Sequence, residues 1–466
     1  MAKEGAKKKR AKDFVTEYTV KNAFTKGDVF TKLSAIVMGL GNFKNAQIGK
    51  GILFLLGEIA YIYYMAAYGI NALAKLPSLG THLQEKVWND SKGVFEYVPG
   101  DNSLLILLYG VVTVFVTVFF ILLWRAALKS AYKAQYCKEN NKHIMTFKED
   151  VATLFDKNLH KTLLTLPMAG IITFTVMPLV FMISMAFTNF DRDHQVPGNL
   201  FDWVGLANFG KVLNIHGEFG KTFWPILGWT VVWAVFATFL NYIFGMVVAI
   251  IINNKKVKGK AFWRFCFILS VAVPQFVSLL VVRTMLQDNG AVNTLLHELG
   301  ILASGTTLPF FKSTIWARVT VIVVNLWVGI PYTILTTTGI LQNIPADLYE
   351  SAKVDGANAF VTFFKITLPY MLFVTAPTLI TNFIGNINNF NVIYLLTGGT
   401  PATLSYYKGT AGKTDLLVTW LYKLTIDNKD YCYGAVIGII TFILSLVFSL
   451  VAYRRTSAYK NEEGFQ

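Results

Sequence analysis

The sequence predicts an all-α, polytopic membrane protein with about eight transmembrane helices. Of its 466 residues, 54% are hydrophobic and only 15% are charged, whereas ordinary soluble domains have about 25% charged residues. The apolar residues are concentrated in long runs, and the formal net charge is +15. Such an excess is typical of a nucleic-acid-binding protein or of a protein at the inner surface of a membrane. The positions of the basic residues decide between these classes.

Eight segments are long and apolar enough to cross a membrane. A helix needs about 20 apolar residues to span a hydrocarbon core of about 30 Å, because backbone polar groups cannot be left unpaired in lipid. In chain order the predicted spans are roughly 52–73, 104–124, 163–187, 225–252, 265–287, 315–341, 371–396 and 434–453.

The basic residues predict the orientation of these spans. If the N-terminus is inside, the cytoplasmic segments hold 29 Lys and Arg residues and the outer segments hold 11. By the positive-inside rule, both termini are therefore predicted to be cytoplasmic in a multi-pass protein of the cell membrane. The N-terminus, MAKEGAKKKRAKDF, has no apolar core and is not expected to be a cleaved signal peptide. A nucleic-acid-binding protein would need a basic face on a soluble domain, which this pattern does not offer.

This layout divides the chain into five predicted regions. They are a basic cytoplasmic N-terminal segment (1–50), the first two transmembrane helices with a cytoplasmic loop (51–162), the third helix with an extracellular loop (163–222), a core of the last five spans (223–455) with a cytoplasmic loop at 342–370, and a cytoplasmic tail (456–466). Within the first region, IVMGLGNFKNAQIGKG is compatible with an interfacial helix or with a re-entrant segment.

The residues that carry chemistry in enzymes are sparse. Cys137, Cys266 and Cys432 lie more than a hundred residues apart, so neither a disulfide framework nor a Cys-rich zinc site is expected. The six histidines show no ligand spacing. We therefore expect no metal, no cofactor and no catalytic residues in this chain.

The cytoplasmic loop at 342–370 has the pattern of a helix, a turn and a second helix. Pro345 suits a first helical turn, Asp347 and Glu350 favour a helix N-terminus, and Gly356 can end the helix in a left-handed conformation. A second short helix, about 359–366, is predicted to end before Pro369.

Ionisable residues within the spans are few: Glu58, Arg283 and Arg318. Amides are more informative, because Asn382, Asn386 and Asn389 recur at i, i+4 and i+7 and would share one helix face. Two interpretations stay open. The amides can bind another helix, or they can bind a neutral, hydroxyl-rich substrate, since each amide both donates and accepts hydrogen bonds without net charge.

The sixth predicted span adds a second polar and aromatic group. Asn325, Trp327, Gly329 and Tyr332 occur in NLWVGIPY, and an aromatic ring can cover the apolar face of a sugar. Together with the asparagines of span seven, they suggest a path for carbohydrate.

The loop between these spans resembles the EAA loop of ABC importer permeases. The matching residues are Glu350, Ser351, Ala352, Gly356, Ile366, Leu368 and Pro369, with Ser in place of the first Ala of the motif. The resemblance implies that Glu350, Ser351, Ala352 and Gly356 dock onto an ATPase, with Leu348 and Tyr349 as further apolar anchors. The alternative is a hairpin that only lies on the membrane surface.

The run from about Asn325 to Gly399 resembles the larger permease subunit of maltose and maltodextrin ABC importers. This implies a type I ABC importer permease fold with a sugar site near the bilayer midplane. The site residues implied are Asn325, Gly329, Tyr332, Asn386 and Asn389, together with Asn382 and Gln275, where the family has Ser, while Val271 replaces a Tyr of the family.

The same resemblance implies partners: a homologous second permease, two cytoplasmic ATPases, an extracellular solute-binding protein and an oligosaccharide of the maltose or maltodextrin type. Transport would proceed by alternating access. An ion- or proton-coupled secondary sugar transporter is the alternative, and it requires acidic residues at the midplane, for which Glu58 is the candidate. A scaffold or receptor without transport would leave the asparagines unexplained.

Overall fold

The computed structural model describes residues 18–254, 256–303 and 305–456, and these residues are mostly helical. Parts of the predicted N-terminal segment and of the C-terminal tail, 1–17 and 457–466, lie outside the described residues. The chain forms two compact units. The first contains the described residues up to Ser184 together with Asp193–Trp203, and the second contains Met185–Arg192 and the described residues from Val204 onward.

The first unit consists of helices and one β-hairpin. The helices are α1 (Val20–Lys26), α2 (Val29–Leu33), α3 (Leu40–Lys44), α4 (Ile48–Tyr64), α5 (Ile70–Lys75), α6 (Ser103–Glu139), α7 (Phe147–Phe155), α8 (Leu159–Ile171) and α9 (Met177–Met185), and the strands are β1 (Glu85–Asn89) and β2 (Val94–Val98). A π turn joins α4 to α5 at Met65–Gly69, and another joins α8 to α9 at Ile172–Val176.

Helix α6 has 37 residues and is therefore about 55 Å long at 1.5 Å per residue. This is longer than the hydrocarbon core, so α6 extends well past the span predicted at 104–124. The short helices α1–α3 pack along its second half. Two hydrogen bonds fix them there: Gln135 Oε1 accepts from Asp28 N at 2.8 Å, and Trp124 Nε1 donates to Ala35 O at 3.0 Å.

The segment between the first two predicted spans, 75–103, holds the antiparallel hairpin β1–β2. Trp88 pairs with Phe95 across it, with ring centroids 4.9 Å apart. This hairpin is a small departure from the all-α expectation. It depends on cross-strand aromatic contact and not on a buried core.

The second unit contains the remaining helices. They are α10 (Ala207–Leu213), α11 (Gly220–Asn253), α12 (Lys260–Ala272), α13 (Gln275–Met285), α14 (Ala291–Glu298), α15 (Thr314–Gln342), α16 (Ala346–Val354), α17 (Ala359–Thr362), α18 (Leu368–Ile387), α19 (Phe390–Leu396), α20 (Leu417–Tyr422) and α21 (Tyr431–Arg455). Its core is formed where α11, α13, α15 and α19 meet, around Trp229, Trp233, Leu279, Val321 and Ile393.

The eight predicted spans correspond to seven long apolar helices and one bent pair among the described residues. The fifth span was expected to be one helix but is broken between α12 and α13, which are bent by 87°. Pro274 lacks an N–H and disfavours helical geometry at the residue before it, so Val273 adopts an extended conformation (φ −76°, ψ 126°).

The expectation that Pro369 ends a short helix at about 366 is wrong. Helix α17 runs through a π turn, Phe363–Thr367, directly into α18. Leu368 N donates to Phe363 O, five residues back, so the hydrogen-bond register shifts just before Pro369. Proline lacks an N–H and cannot continue the regular hydrogen-bond pattern, and the π turn directly before it lets the helix continue through this position.

Candidate functional site

A cavity of about 560 Å³ lies between α11, α13, α15 and α18 in the second unit. It is lined by all seven residues that the sequence suggested for a sugar site: Gln275, Asn325, Gly329, Tyr332, Asn382, Asn386 and Asn389. The break before α13 places Gln275 at the cavity wall, because the chain turns there. Residues 100 positions apart in sequence thus share one site.

The three asparagines of span seven do not share a continuous helix. Helix α18 ends at Ile387, and Asn389 is the N-cap of α19, where its side chain accepts from Val392 N at 3.2 Å. The predicted i+7 relation is therefore wrong for Asn389, although it still lines the cavity. An asparagine that caps a helix is held in one orientation.

Asn386 has internal partners. Its Nδ2 donates to Thr238 Oγ1 on α11 at 2.9 Å, and its Oδ1 accepts from Asn389 Nδ2 at 3.4 Å. The interpretation of these amides as a link between helices therefore holds for Asn386. It does not extend to Asn382, whose side chain is exposed and has no hydrogen bond to any described residue.

The remaining amides of the cavity are open to a ligand. Asn325 is only 5% exposed, yet its Nδ2 has no hydrogen-bond partner among the described residues. The aromatic ring of Tyr332 is 56% exposed and lines the same cavity. Buried polar groups are normally hydrogen-bonded, so an unpartnered amide in a cavity indicates a place for a polar ligand.

The cavity wall is neutral. Among the described residues that line it, none is Asp, Glu, Lys, Arg or His. Its polar groups are amides, threonine hydroxyls and two tyrosine phenols. Such a surface can bind hydroxyl groups but offers no charge for an ion or an acid–base step.

Three residues considered from sequence lie outside this cavity. Trp327 faces a separate apolar cavity with Val282, Phe310 and Trp316, so it does not cover a sugar in this site. Val271 is exposed and does not line the polar cavity. Glu58, in the first unit, accepts a hydrogen bond from Met38 N at 2.7 Å, so its carboxylate caps backbone structure.

The cavity also has residues that the sequence analysis missed. They are Thr238, Asn241 and Tyr242 on α11, Thr333, Thr336 and Thr337 on α15, and Thr375, Thr378 and Thr381 on α18. The run Thr336-Thr337-Thr338 and the threonines at i, i+3 and i+6 of span seven were the available signal. Threonine in a span commonly bonds its own helix, so the pattern alone did not point to a site.

The proposed docking loop is a helix followed by a left-handed glycine, as expected. Helix α16 ends at Val354, and Gly356 has φ +74°. Glu350 and Ser351 are exposed, whereas Ala352 is 8% exposed and packs inward. Tyr349 OH lies 3.1 Å from Thr367 Oγ1 and holds α16 against the start of α18.

The large exposed apolar side chains of this loop are Leu348 (43% exposed), Val354 (88%), Phe360 (71%) and Phe364 (48%). Val354 and Phe360 were not foreseen. A charged residue beside apolar side chains on a short helix is suited to a groove on another protein.

Comparisons with known proteins find similar transport proteins. The family model described as "Binding-protein-dependent transport system inner membrane component" matches residues 241–456. A galactooligosaccharides transport system permease protein of Bacillus subtilis is 35% identical over 435 residues, covering 92% of this chain and 98% of the relative. A maltodextrin transport system permease protein of Streptococcus pneumoniae is 34% identical over 441 residues, covering 92% and 96%.

A solved structure shares the fold. A chain of a bacterial alginate ABC transporter, crystallised with an alginate pentasaccharide-bound periplasmic protein, superposes with a TM-score of 0.52 at 20% identity. The match covers 65% of this chain and 96% of that chain.

Proposed function

The chain belongs to the family of binding-protein-dependent transport system inner membrane components, as a multi-pass permease subunit of an ABC sugar importer, and we propose that it forms half of an oligosaccharide path by alternating access. The substrate class proposed is neutral oligosaccharides, of the maltodextrin or galactooligosaccharide type. The neutral, amide-lined cavity of α11, α13, α15 and α18 is the observation that carries this proposal.

The chemistry of the cavity supports a sugar. A sugar carries many hydroxyl groups and no charge, and each hydroxyl both donates and accepts. Asn382 and Gln275 present amides without partners among the described residues, and Tyr332 presents an exposed ring. An amide can bind adjacent hydroxyls as donor and acceptor together, and an aromatic face covers the apolar side of a sugar ring.

The connection between the docking loop and the cavity supports coupling to an ATPase. Helices α15 and α18 both line the cavity, and α16 lies in the segment that joins them. The bond between Tyr349 and Thr367 ties α16 to the start of α18. A displacement of α16 by an ATPase would therefore move two cavity walls as rigid helices.

The partners proposed are a second permease, which closes the path, two cytoplasmic ATPases, one of which docks at α16, and a solute-binding protein on the opposite side. The charge asymmetry of the loops supports an orientation with α16 and both termini in the cytoplasm. Glu350, Ser351 and Gly356 would form the ATPase contact, with Ala352 supporting it from within.

The proposal is tested with the complex as it exists. The tagged chain is purified from native membranes with its partners and reconstituted with ATP inside the vesicles, and uptake of labelled maltotriose and galactotriose is measured. We expect uptake of at least one of these sugars, and we expect this uptake to stop when ATP is depleted. Uptake that persists without ATP but follows a proton gradient would instead favour the secondary transporter, and absence of uptake of either sugar would contradict the substrate class.

A matched pair of variants tests the cavity itself. Asn382→Leu removes an unpartnered amide from the wall, and at least tenfold slower uptake is expected with unchanged assembly. Asn388→Leu is the control, because Asn388 donates to Ile384 O in its own helix and lies outside this cavity. Equal uptake by both variants would contradict the proposed site.

A further inference from the structure

The half of the cavity nearer the docking loop is lined mainly by threonines. On α15, the part of the helix between Tyr332 and the docking loop contributes Thr333, Thr336 and Thr337. On α18, the part between the docking loop and Asn382 contributes Thr375 and Thr378. Asn241 of α11 lines the cavity as well. The lining residues of α15 from Asn325 to Thr337 extend over about 18 Å at 1.5 Å per residue, which is longer than one sugar ring.

Most of these threonines already donate their hydroxyl proton to a backbone oxygen of their own helix. Thr333 donates to Gly329 O at 3.2 Å, Thr337 donates to Thr333 O at 2.6 Å, and Thr375 donates to Met371 O at 2.7 Å. Thr336 donates to Thr333 O at 3.0 Å. A hydroxyl has one donor and two acceptor sites, so these oxygens retain only acceptor capacity. This strip of threonines is therefore a surface that accepts hydrogen bonds.

Asn241 adds an amide acceptor to the strip. Its Nδ2 donates to Ala237 O at 2.7 Å, while its Oδ1 is buried without a partner among the described residues. An unsatisfied acceptor beside the strip indicates a ligand that donates.

Gly329 makes room for this amide. A Cβ at position 329 would lie 2.6 Å from Asn241 Nδ2 and 2.7 Å from Asn241 Oδ1. The amide therefore packs directly on the backbone of α15. Gly329, a predicted sugar-site residue, acts here by leaving space for Asn241.

We propose that Asn241, Thr333 and Thr336 form a second saccharide-binding half of the cavity, which accepts hydrogen bonds from the hydroxyl groups of a further sugar ring. Thr337 and Thr375 are buried, at 1% and 6% exposed, and Thr375 Oγ1 also lies 2.9 Å from Tyr242 OH, so these two residues support the surface from behind. Asn325 lines the same cavity with an unpartnered Nδ2, which would instead donate a hydrogen bond to the sugar. The two halves differ in chemistry: amides that donate and accept lie at one end, and acceptors predominate at the other. This inference rests on the proposed function as an oligosaccharide permease.

The inference makes a chemical distinction between substrates. A methyl ether keeps the sugar ring and its acceptor oxygens but has no hydroxyl proton to donate. A trisaccharide that is methylated on its hydroxyls should therefore bind poorly to the threonine strip. Removal of the strip's acceptors should weaken the binding of unmodified maltotriose in the same way.

The test measures maltotriose-stimulated ATP hydrolysis and uptake by the reconstituted complex. Asn241→Leu and Thr336→Val, which keep side-chain volume, should each raise the half-saturating maltotriose concentration by about 2- to 10-fold, the range expected for one hydrogen bond. Thr336→Ser retains the hydroxyl and should restore the wild-type value. Wild-type affinity in both Asn241→Leu and Thr336→Val would overturn the inference.

A double variant separates binding from folding. Gly329→Ala alone should displace the Asn241 amide and weaken binding, whereas Gly329→Ala combined with Asn241→Ala should bind maltotriose no worse than Asn241→Ala alone. A double variant that is worse than Asn241→Ala would overturn the role assigned to Asn241. If the wild-type complex transports neither maltotriose nor galactotriose, the proposed function itself is contradicted. If it transports one of them and the variants have the wild-type affinity for that sugar, only the second half-site is contradicted.

Discussion

The side-chain amide of Asn386 on α18 donates a hydrogen bond of 2.9 Å to the hydroxyl of Thr238 on α11. Five residues before Thr238 on α11, Trp233 Nε1 donates to the backbone oxygen of Asn386 at 3.1 Å. Both bonds cross the same pair of helices at the cavity wall. They hold α18 in place where the helix ends and the chain turns into α19.

Thr238→Val is expected to loosen this helix pair. Valine has the shape of threonine but cannot accept the Asn386 proton, and a hydrogen bond between membrane helices contributes about 1 kcal/mol. The thermal unfolding midpoint of the detergent-purified complex should fall in Thr238→Val and return in Thr238→Ser. Equal midpoints for the wild type and Thr238→Val would show that this bond contributes nothing to stability.

Long apolar runs made the membrane spans predictable, because a bilayer leaves few alternatives to a helix. Helical spacing also located much of the site, since Asn325, Gly329 and Tyr332 do lie on one wall. Periodicity carries no information on where a helix stops, however. Asn389 falls beyond the end of α18, and the break at Pro274 that brings Gln275 to the cavity depends on one backbone conformation.

Other features depend on packing that a single sequence does not encode visibly. Ala352 is buried and Val354 is exposed, although both are apolar residues of α16. Asn241 was missed because it stands alone among apolar residues of span four. Its role becomes visible only when α15 brings Gly329 against its amide.

Gly356→Ala is expected to weaken ATPase docking. Residue 356 has φ +74°, and a side chain in this left-handed region costs about 1 to 2 kcal/mol. The strain would tilt or fray the end of α16, and less ATPase should co-purify with the tagged permease. Gly339→Ala is the matched control, because that glycine is helical with open space around it and should tolerate alanine. The docking model predicts a difference between the two variants, and equal yields of ATPase would contradict it.

Arg318→Lys is expected to release the loop before α20. The Arg318 guanidinium lies 4.4 Å from the centroid of the Trp229 ring, and its Nε donates to Lys413 O at 3.1 Å. Trp229 Nε1 donates to Thr414 O at 3.1 Å, so the stacked pair holds two consecutive residues of the loop. Lysine has no planar group that can stack on the Trp229 ring and at the same time donate a hydrogen bond to Lys413 O. Hydrogen exchange in residues 408–415 should be several-fold faster.

The control for this prediction is Arg283→Lys. Arg283 is exposed on α13 and makes none of these contacts, so its substitution should leave exchange in 408–415 unchanged. Exchange that stays slow in Arg318→Lys would mean that the loop is held without the guanidinium.

Asp101 is expected to make the segment between α5 and α6 sensitive to acid. Its carboxylate lies 2.7 Å from Lys75 Nζ and accepts from Thr81 N at 2.9 Å and from His82 N at 3.1 Å. The ion pair with Lys75 and these two backbone hydrogen bonds hold the pKa of Asp101 well below its ordinary value. A carboxyl group with a lowered pKa in the folded state contributes stability above its unfolded pKa, about 3.9, and loses it as the pH falls through the folded value.

Asp101→Asn should therefore speed hydrogen exchange of the Thr81 and His82 amides at pH 7, relative to the wild type at the same pH. The difference should begin to shrink below about pH 4, near the unfolded pKa, and should shrink further as the pH falls towards the folded value. Asp90→Asn is the control, because Asp90 is exposed in the hairpin turn and has no such partners. A difference between Asp101→Asn and the wild type that is the same at pH 7 and pH 3 would show that the carboxylate's charge does not hold this turn.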